Sequence, residues 1–532
     1  MFTMSRAHVS RPRVLVAWVT CLTLVALAAP LAHAAATTGR RGGAPVRHAP
    51  TTTGVPRFVP GGCVYTFAAT VVEGRTVHCG TVIVPESHAH PTNGKTIALP
   101  VAVYRALTPH PAPEPIVFLT GGPGQSGEFY AQLLTDPFYH AYAAHNDLII
   151  FDERGTGASV PSLKCPPTPH TTDPVVALLT CRDALTRRGI DLGAYTDTEN
   201  AADVNDIRAV LGYARINLEG GSYGSELGLA VLRDYAPVVR SAVLESISPP
   251  TTNALGEEVI NFDHVIVALS AQCAADAACH ALNPDVRGSL QRATDYLNAH
   301  PLTAQTSAGT QTLDGTAFSA RLFSFLYQAA VIPYLPDLLA KVAAGKTGAL
   351  GRLVHAFTGG GQGSGGVRGS KAQREDSGEA TADGMTFSII CSKAYWTPTA
   401  HARILAANQH VLPAERAAKG PEALFGFTLC PQWPSHGADP HGASAVTSSV
   451  PTLLLNGQFD PATPLSYGRI AARTLRHSVV VVLPGGSHVN TVKPGPVGTC
   501  AAAIVVAFYA NPGASPDTGC TTRLHLAFRA IP

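Results

Sequence analysis

The chain has 532 residues, of which 45% are hydrophobic and 14% charged. That apolar share excludes a mostly disordered chain and is enough for one large α/β domain with an insertion, or for several smaller units. Thirty-eight basic residues against 36 acidic ones leave a net charge of +2, which gives no electrostatic footprint for nucleic acid.

Residues 1–34 read as a signal peptide. Arg6, Arg11 and Arg13 precede an apolar run from Val14 to Ala32, and Ala32-His33-Ala34 has the small-x-small pattern of a cleavage site. An uncleaved anchor is the competing reading, because the run is close to spanning length. Cleavage predicts an extracellular protein with no further membrane attachment. Residues 35–55, rich in Ala, Thr, Gly and Arg, read as a flexible linker. Ten cysteines then remain, an even number that predicts disulfides. Pairing neighbours is the simplest of many connectivities: Cys63 with Cys79, Cys165 with Cys181, Cys273 with Cys279, Cys391 with Cys430, and Cys500 with Cys520. No CxxC or HExxH pattern points to a metal site.

A hairpin comes next. Gly80–Pro85 and Thr96–Arg105 alternate apolar and polar residues around the turn signal Asn93-Gly94. Short, almost wholly apolar runs follow at Pro115–Leu119, Asp147–Phe151, Ile216–Leu218 and Ser241–Leu244, and again at Pro451–Leu455 and Val479–Leu483. Such runs suit strands buried on both faces of a parallel sheet. Helical stretches such as Glu199–Tyr213, Tyr223–Tyr235 and Pro464–Leu475 lie between them, so the pattern is α/β and doubly wound. Residues 251–440 lack these strands and read as a helical insertion, with helices near Glu257–Gln272, Asp285–Ala299, Gly315–Ala330 and Leu335–Ala344. A Gly/Ser-rich and charged stretch at 358–383 reads as a mobile loop within it. The domain plan is thus 56–250 for the first half of the core, 251–440 for the cap and 441–532 for the second half.

Gly220-Gly221-Ser222-Tyr223-Gly224 is the chain's one G-x-S-x-G, set between a strand-like run and a helix. Such a turn holds a serine at a strained tip, hydroxyl exposed, beside a helix N-terminus that favours developing negative charge. Serine needs a base, and the base needs an orienting acid; in this topology both follow later, the acid first. Asp460 stands just after Pro451–Gly457, and His488 just after Val479–Leu483. His488 is one of 21 histidines, but it occupies the post-strand loop where the base must sit. Glu245, ending another strand, is the alternative acid. Thr120-Gly121-Gly122-Pro123-Gly124 supplies main-chain donors, so the oxyanion hole is assigned to the amides of Gly122 and Tyr223. In Asp152-Glu153-Arg154-Gly155, Asp152 and Arg154 are expected to brace the loop behind that hole.

Four blocks carry a family likeness: Phe118–Gly127 (FLTGGPGQSG), Asp147–Ser159 (DLIIFDERGTGAS), Asn217–Pro250 (beginning NLEGGSYGSELGLAVLRDY) and Pro451–His488. They resemble the secreted proline iminopeptidase/tripeptidyl aminopeptidase group of α/β-hydrolases over most of residues 60–530. The Cys500–Cys520 segment resembles that group's C-terminal region. The resemblance implies a mostly parallel eight-stranded sheet, a helical cap, and release of residues or short peptides from peptide N-termini by a serine mechanism. It implies Ser222 as nucleophile, Asp460 as acid, His488 as base, Gly122 and Tyr223 as oxyanion donors, and no cofactor. Two positions depart from the pattern: Thr120 stands where histidine precedes GGPG, and Ser487 replaces a glycine before the histidine. Glu128, Glu257 and Glu258 are the candidates for holding a substrate ammonium group. The expected partner is a peptide or a small ester, and the expected state a monomer. A carboxylesterase with the same triad is the alternative activity, and a non-catalytic binding protein of the same fold is a third reading.

Overall fold

The computed structural model describes residues 55–531 apart from 135, 168–170, 172, 307–308 and 359–380. The signal segment, nearly all of the linker and most of the Gly/Ser-rich stretch lie outside the described residues. The strands are β1 (Arg57–Pro60), β2 (Val77–Pro85), β3 (Thr96–Tyr104), β4 (Ile116–Leu119), β5 (Leu148–Phe151), β6 (Ile216–Gly221), β7 (Val239–Glu245), β8 (Leu302–Thr306), β9 (Gly309–Leu313), β10 (Thr452–Gly457) and β11 (Ser478–Leu483). Nine of them form one sheet in the order β1-β2-β3-β5-β4-β6-β7-β10-β11. From β5 to β11 neighbouring strands run parallel, whereas β1, β2 and β3 pair antiparallel.

The expected count of eight strands is one short. The additional strand is β1, an edge strand ending in proline that pairs with β2 and is tied to it by the Cys63–Cys79 disulfide. Four residues with a Pro terminus make a short edge, which carries little apolar signal in the sequence.

The apolar runs form strands because both faces of the sheet are covered. Side chains alternate across a strand, so successive residues enter different cores. Val117 and Leu119 of β4, with Ile149 and Phe151 of β5, pack under the helices Asp197–Val210 and Tyr223–Asp234. Ile116, Phe118, Leu148 and Ile150 face the other way, toward Ile504, Val505 and Phe508 of the helix Pro496–Ala510.

The insertion divides in two. Helices Glu258–Ala275, Val286–Ala299, Gly315–Leu326 and Leu335–Ala343 pack Phe262, Ile266, Leu290, Phe318, Leu322 and Leu338 into a separate core. Asp285 and Asp314 cap two of these helices, accepting from the amides of Gly288 and Ala317. A hairpin of β8 and β9 interrupts a region expected to be wholly helical. Its Thr-rich strands are short of apolar residues and so gave no strand signal. Residues 382–396 and 429–433 instead join the sheet's own core through Met385, Ile389, Cys391, Trp396, Cys430 and Trp433, while the helix Pro413–Leu429 between them sends Ala414 into the cap core. A segment near the C-terminus then crosses from sheet to cap. It is tied down by Cys500–Cys520, sends Leu526 and Ile531 into the cap core, and donates the Arg529 and Ile531 amides to Pro333 O and Asp337.

The ten cysteines among the described residues pair as nearest neighbours, as expected. Besides Cys63–Cys79 and Cys500–Cys520, the disulfides are Cys165–Cys181, Cys273–Cys279 and Cys391–Cys430. Cys181, buried on the helix Pro174–Arg187, ties that helix to the segment just after the Asp152–Ser159 loop. Cys279, buried on the short helix Ala277–Leu282, closes the tight bend after Glu258–Ala275 by bonding Cys273. The Cys391–Cys430 bridge joins the last turn of the helix Asp383–Ser392 to the residue that follows Pro413–Leu429, within the sheet core.

Candidate active site

The carboxyl ends of the parallel strands lie level with one another. Leu119 pairs with Gly220, Gly221 with Glu245, Glu245 with Leu455, and Gly457 with Leu483. The chain leaves β4 toward β5 on one side and reaches β6 on the other. The Thr120–Gly124 loop and Ser222 therefore meet at the point where strand order reverses, the usual binding crevice of an open α/β sheet.

Ser222 links β6 to the helix Tyr223–Asp234 with φ 58° and ψ −126°, a conformation few side-chain-bearing residues adopt. The strain is enforced sterically. A Cβ at Gly220 would overlap the carbonyl of Gly224, and one at Gly224 would overlap that of Leu119. The Ser222 amide donates to Glu245 O at 3.0 Å, which pins the turn to β7. The Gly122 and Tyr223 amides donate to no backbone carbonyl among the described residues, and both residues line one cavity with Ser222. Unpaired main-chain amides beside a serine hydroxyl are the kind of donor that acyl-transfer chemistry uses.

His488 Nδ1 lies 2.9 Å from both oxygens of Asp460. Asp460 also accepts from the amides of Ala462 and Thr463 and from the Thr463 hydroxyl at 2.8 Å. Burial pushes its carboxyl up, but His488 and the Thr463 contacts outweigh that and hold it below the usual carboxylate range. Glu245, the alternative acid, is occupied elsewhere. It accepts from the amides of Asn490 and Thr491 and from the Thr491 hydroxyl, bracing the loop beyond His488. No hydrogen bond joins Ser222 Oγ to His488 in this structure; contacts of this kind commonly tighten only in the substrate complex.

The loop behind Gly122 is braced differently from the expectation. Asp152 does brace it, accepting from Ser126 Oγ and the Gly127 amide. Arg154 turns away and forms a bidentate pair with Asp203 at 2.7 and 2.8 Å. The residue that grips Thr120 is Glu153, which accepts from its amide and its hydroxyl; burial raises the Glu153 carboxyl to about 8 against those bonds. The Thr120 side chain thus anchors its own loop to a buried acid rather than facing substrate.

The cavity, about 170 Å³, is roofed by Tyr327, Ile389, Ile390, Tyr395 and Trp396 and also lined by Glu226, Glu258 and Lys393. Lys393 is buried between Asp197 and Glu226. Glu258 lies 2.8 Å from Lys419, and burial, opposed by that lysine, raises its carboxyl to about 7. Of the three ammonium-binding candidates only Glu258 lines the cavity. Glu257 accepts from the Tyr467 hydroxyl, and Glu128 accepts from the amide of Thr66 and from Gln132. Glu226, one turn along the helix from Ser222, escaped the sequence reading although its spacing was a usable signal. Lys393 and Tyr327 reach the site from far along the chain, and nothing local marks them. A larger cavity of about 1100 Å³ beside Pro496–Ala510 is mostly apolar and holds none of these groups, so volume alone does not identify the site. Among the described residues no cluster of three or more His, Cys, Asp or Glu side chains could hold a metal ion.

The family model for the alpha/beta hydrolase fold matches residues 114–493. The chain is 25% identical over 440 residues to the serine protease Hip1 of Mycobacterium tuberculosis, covering 76% of this chain and 80% of that one. It is 29% identical over 308 residues to the tripeptidyl aminopeptidase of Streptomyces coelicolor, 52% of this chain and 54% of the relative. Over 138 residues it is 30% identical to the proline iminopeptidase of Xanthomonas citri, 26% of this chain and 34% of the relative. The sheet, the strained serine turn and the family match agree: the chain belongs to the α/β-hydrolase family, among relatives that are serine proteases and aminopeptidases.

Proposed function

We propose that the protein is a secreted serine aminopeptidase, with Ser222 as nucleophile, His488 as general base and Asp460 as its orienting acid. The observation that carries this reading is the Asp460–His488 pair standing beside a glycine-enforced serine turn whose free amides face a roofed cavity. Ser222 attacks the scissile carbonyl as His488 takes its proton, and the Gly122 and Tyr223 amides hold the oxyanion. His488 then protonates the leaving amine, and water hydrolyses the acyl-enzyme with His488 again as base. Asp460 keeps the imidazole in the tautomer whose Nε2 can accept a proton.

Peptide N-termini are favoured as substrates by the acids in the cavity wall. Two acids, Glu226 and Glu258, line the cavity beside one lysine, Lys393, which is already paired with Asp197 as well as Glu226. A Glu258 carboxyl poised near neutrality ionises readily when an ammonium group arrives. The relatives point to peptides as well. Five disulfides fit an oxidising compartment, in keeping with secretion and with the signal-like N-terminus.

The test is a peptide amide assayed with its N-terminus free and acetylated. The free form should be cleaved faster, and Glu258→Gln should raise its KM by roughly tenfold or more while leaving the acetylated form unchanged. Equal rates on the two forms would leave an esterase-like hydrolase instead.

A further inference from the structure

Ser487, which stands where glycine is expected before the histidine, has a partner in the cap. Its hydroxyl donates to the carbonyl of Tyr327 at 2.9 Å. Tyr327 is the residue at which the cap helix Gly315–Leu326 ends, so its carbonyl belongs to the last turn, where no intrahelical donor reaches and the helix dipole is negative. Lys493, from the far side of the same histidine loop, donates its ammonium to that carbonyl. A hydroxyl and a cation are the groups that best satisfy a helix C-terminus. The two donors flank His488 in sequence, one residue before it and five after. The Tyr327 ring meanwhile lies against the imidazole, with centroids 4.8 Å apart, and also lines the cavity with Ser222.

We infer that Ser487 and Lys493 are positioning residues that latch the cap helix to the histidine loop, so that seating a substrate against Tyr327 also sets where His488 stands relative to Ser222. The inference rests on the serine-hydrolase reading above. The imidazole is fixed at Nδ1 by Asp460, but its other edge has no bond to Ser222. Its approach to the hydroxyl therefore depends on the loop that carries it. That loop is held from below by Glu245 on Asn490 and Thr491, and from above by the Tyr327 carbonyl. Cap position and base position are one variable rather than two.

The experiment compares wild type with Ser487→Gly, Lys493→Met and Lys493→Arg, all normalised by titration of active serines. Wild type must first react with a fluorophosphonate at Ser222 and turn over a peptide amide; failure there would overturn the function and not the latch. Given active wild type, Ser487→Gly and Lys493→Met should each lower kcat per titrated site roughly three- to tenfold with KM little changed, and slow fluorophosphonate labelling to match. Lys493→Arg, which keeps a cationic donor, should restore most of the rate. A role confined to stability would lower the melting temperature and the titrated fraction yet leave kcat per site at the wild-type value. That result in both Ser487→Gly and Lys493→Met, or no rescue by arginine, overturns the latch.

Discussion

The floor of the site and its roof are held by different physics. The floor is backbone: strand ends in register, amides turned inward, and two glycines whose replacement would drive a Cβ into a main-chain carbonyl. The roof is side chains from distant parts of the sequence, fixed by packing and by buried ion pairs such as Lys393 with Asp197 and Glu226. A backbone constraint admits one or two residue types at a fixed spacing. A side-chain contact between positions 393 and 226 admits many pairs and no spacing.

The comparison can be broken at its centre first. Asp460→Asn keeps the shape of the floor but presents Nδ1 of His488 with the wrong hydrogen-bonding partner, so kcat should fall roughly 10⁴-fold with the fold intact by circular dichroism. A loss under about tenfold would assign the acid's role elsewhere. In the roof, Lys393→Met leaves Asp197 and Glu226 buried without their counter-ion. It should cost about 4 kcal/mol in denaturant unfolding, and less at pH 5, where Glu226 protonates more easily, than at pH 8. In the floor, Gly224→Ala forces a methyl group onto the Leu119 carbonyl and should cost about 3 kcal/mol, with little dependence on pH. Opposite pH behaviour of these two variants would reverse the assignment of electrostatics to the roof and sterics to the floor.

The last expected effect belongs to the whole molecule. Burial raises the carboxyls of Glu153 and Glu219 to about 8 and that of Glu258 to about 7; at His88 the bonds to Asp206 and Glu199 outweigh burial and raise the imidazole to about 9. Each of these groups binds its proton more tightly folded than unfolded. Their contribution is therefore complete below the unfolded values, near 4.5 for the acids and 6.5 for His88. It fades as pH climbs through the folded ones. Glu199, lowered to about 2 because His88 and Arg154 outweigh burial, and Asp460 act in the opposite sense, only below about pH 4.5. The melting temperature should accordingly be higher at pH 5.5 than at pH 8.5, and a scan across that range checks it.

Legibility in the sequence followed the same divide. The placing of Ser222, Gly122, Asp460 and His488 in loops at strand ends was readable because each comes shortly after an apolar run, and six such runs became strands within two or three residues of their expected ends. Arg154 was misplaced because its partner Asp203 lies on a helix about fifty residues on, which local reading does not reach. Glu153 was passed over between two more conspicuous neighbours. The hairpin β8–β9 was missed because threonine alternation without apolar residues resembles a loop. The split of the insertion was hidden as well, since the helix Asp383–Ser392 buries Met385, Ile389 and Cys391 against the sheet core while helices 258–343 bury theirs in a core of their own, and which core a helix faces is not written in its own residues.

The crossing segment has a bearing on engineering. Phe459, from the acid loop, and Leu526 and Ile531 are integral to the cap's interior although they lie outside residues 251–440. Excised or transplanted as a module, the insertion would leave those three sockets empty and exposed to water. A chimera that exchanges roofs between relatives should therefore carry its own matching pieces from 459 and 526–531, or specificity would be swapped at the expense of a soluble protein.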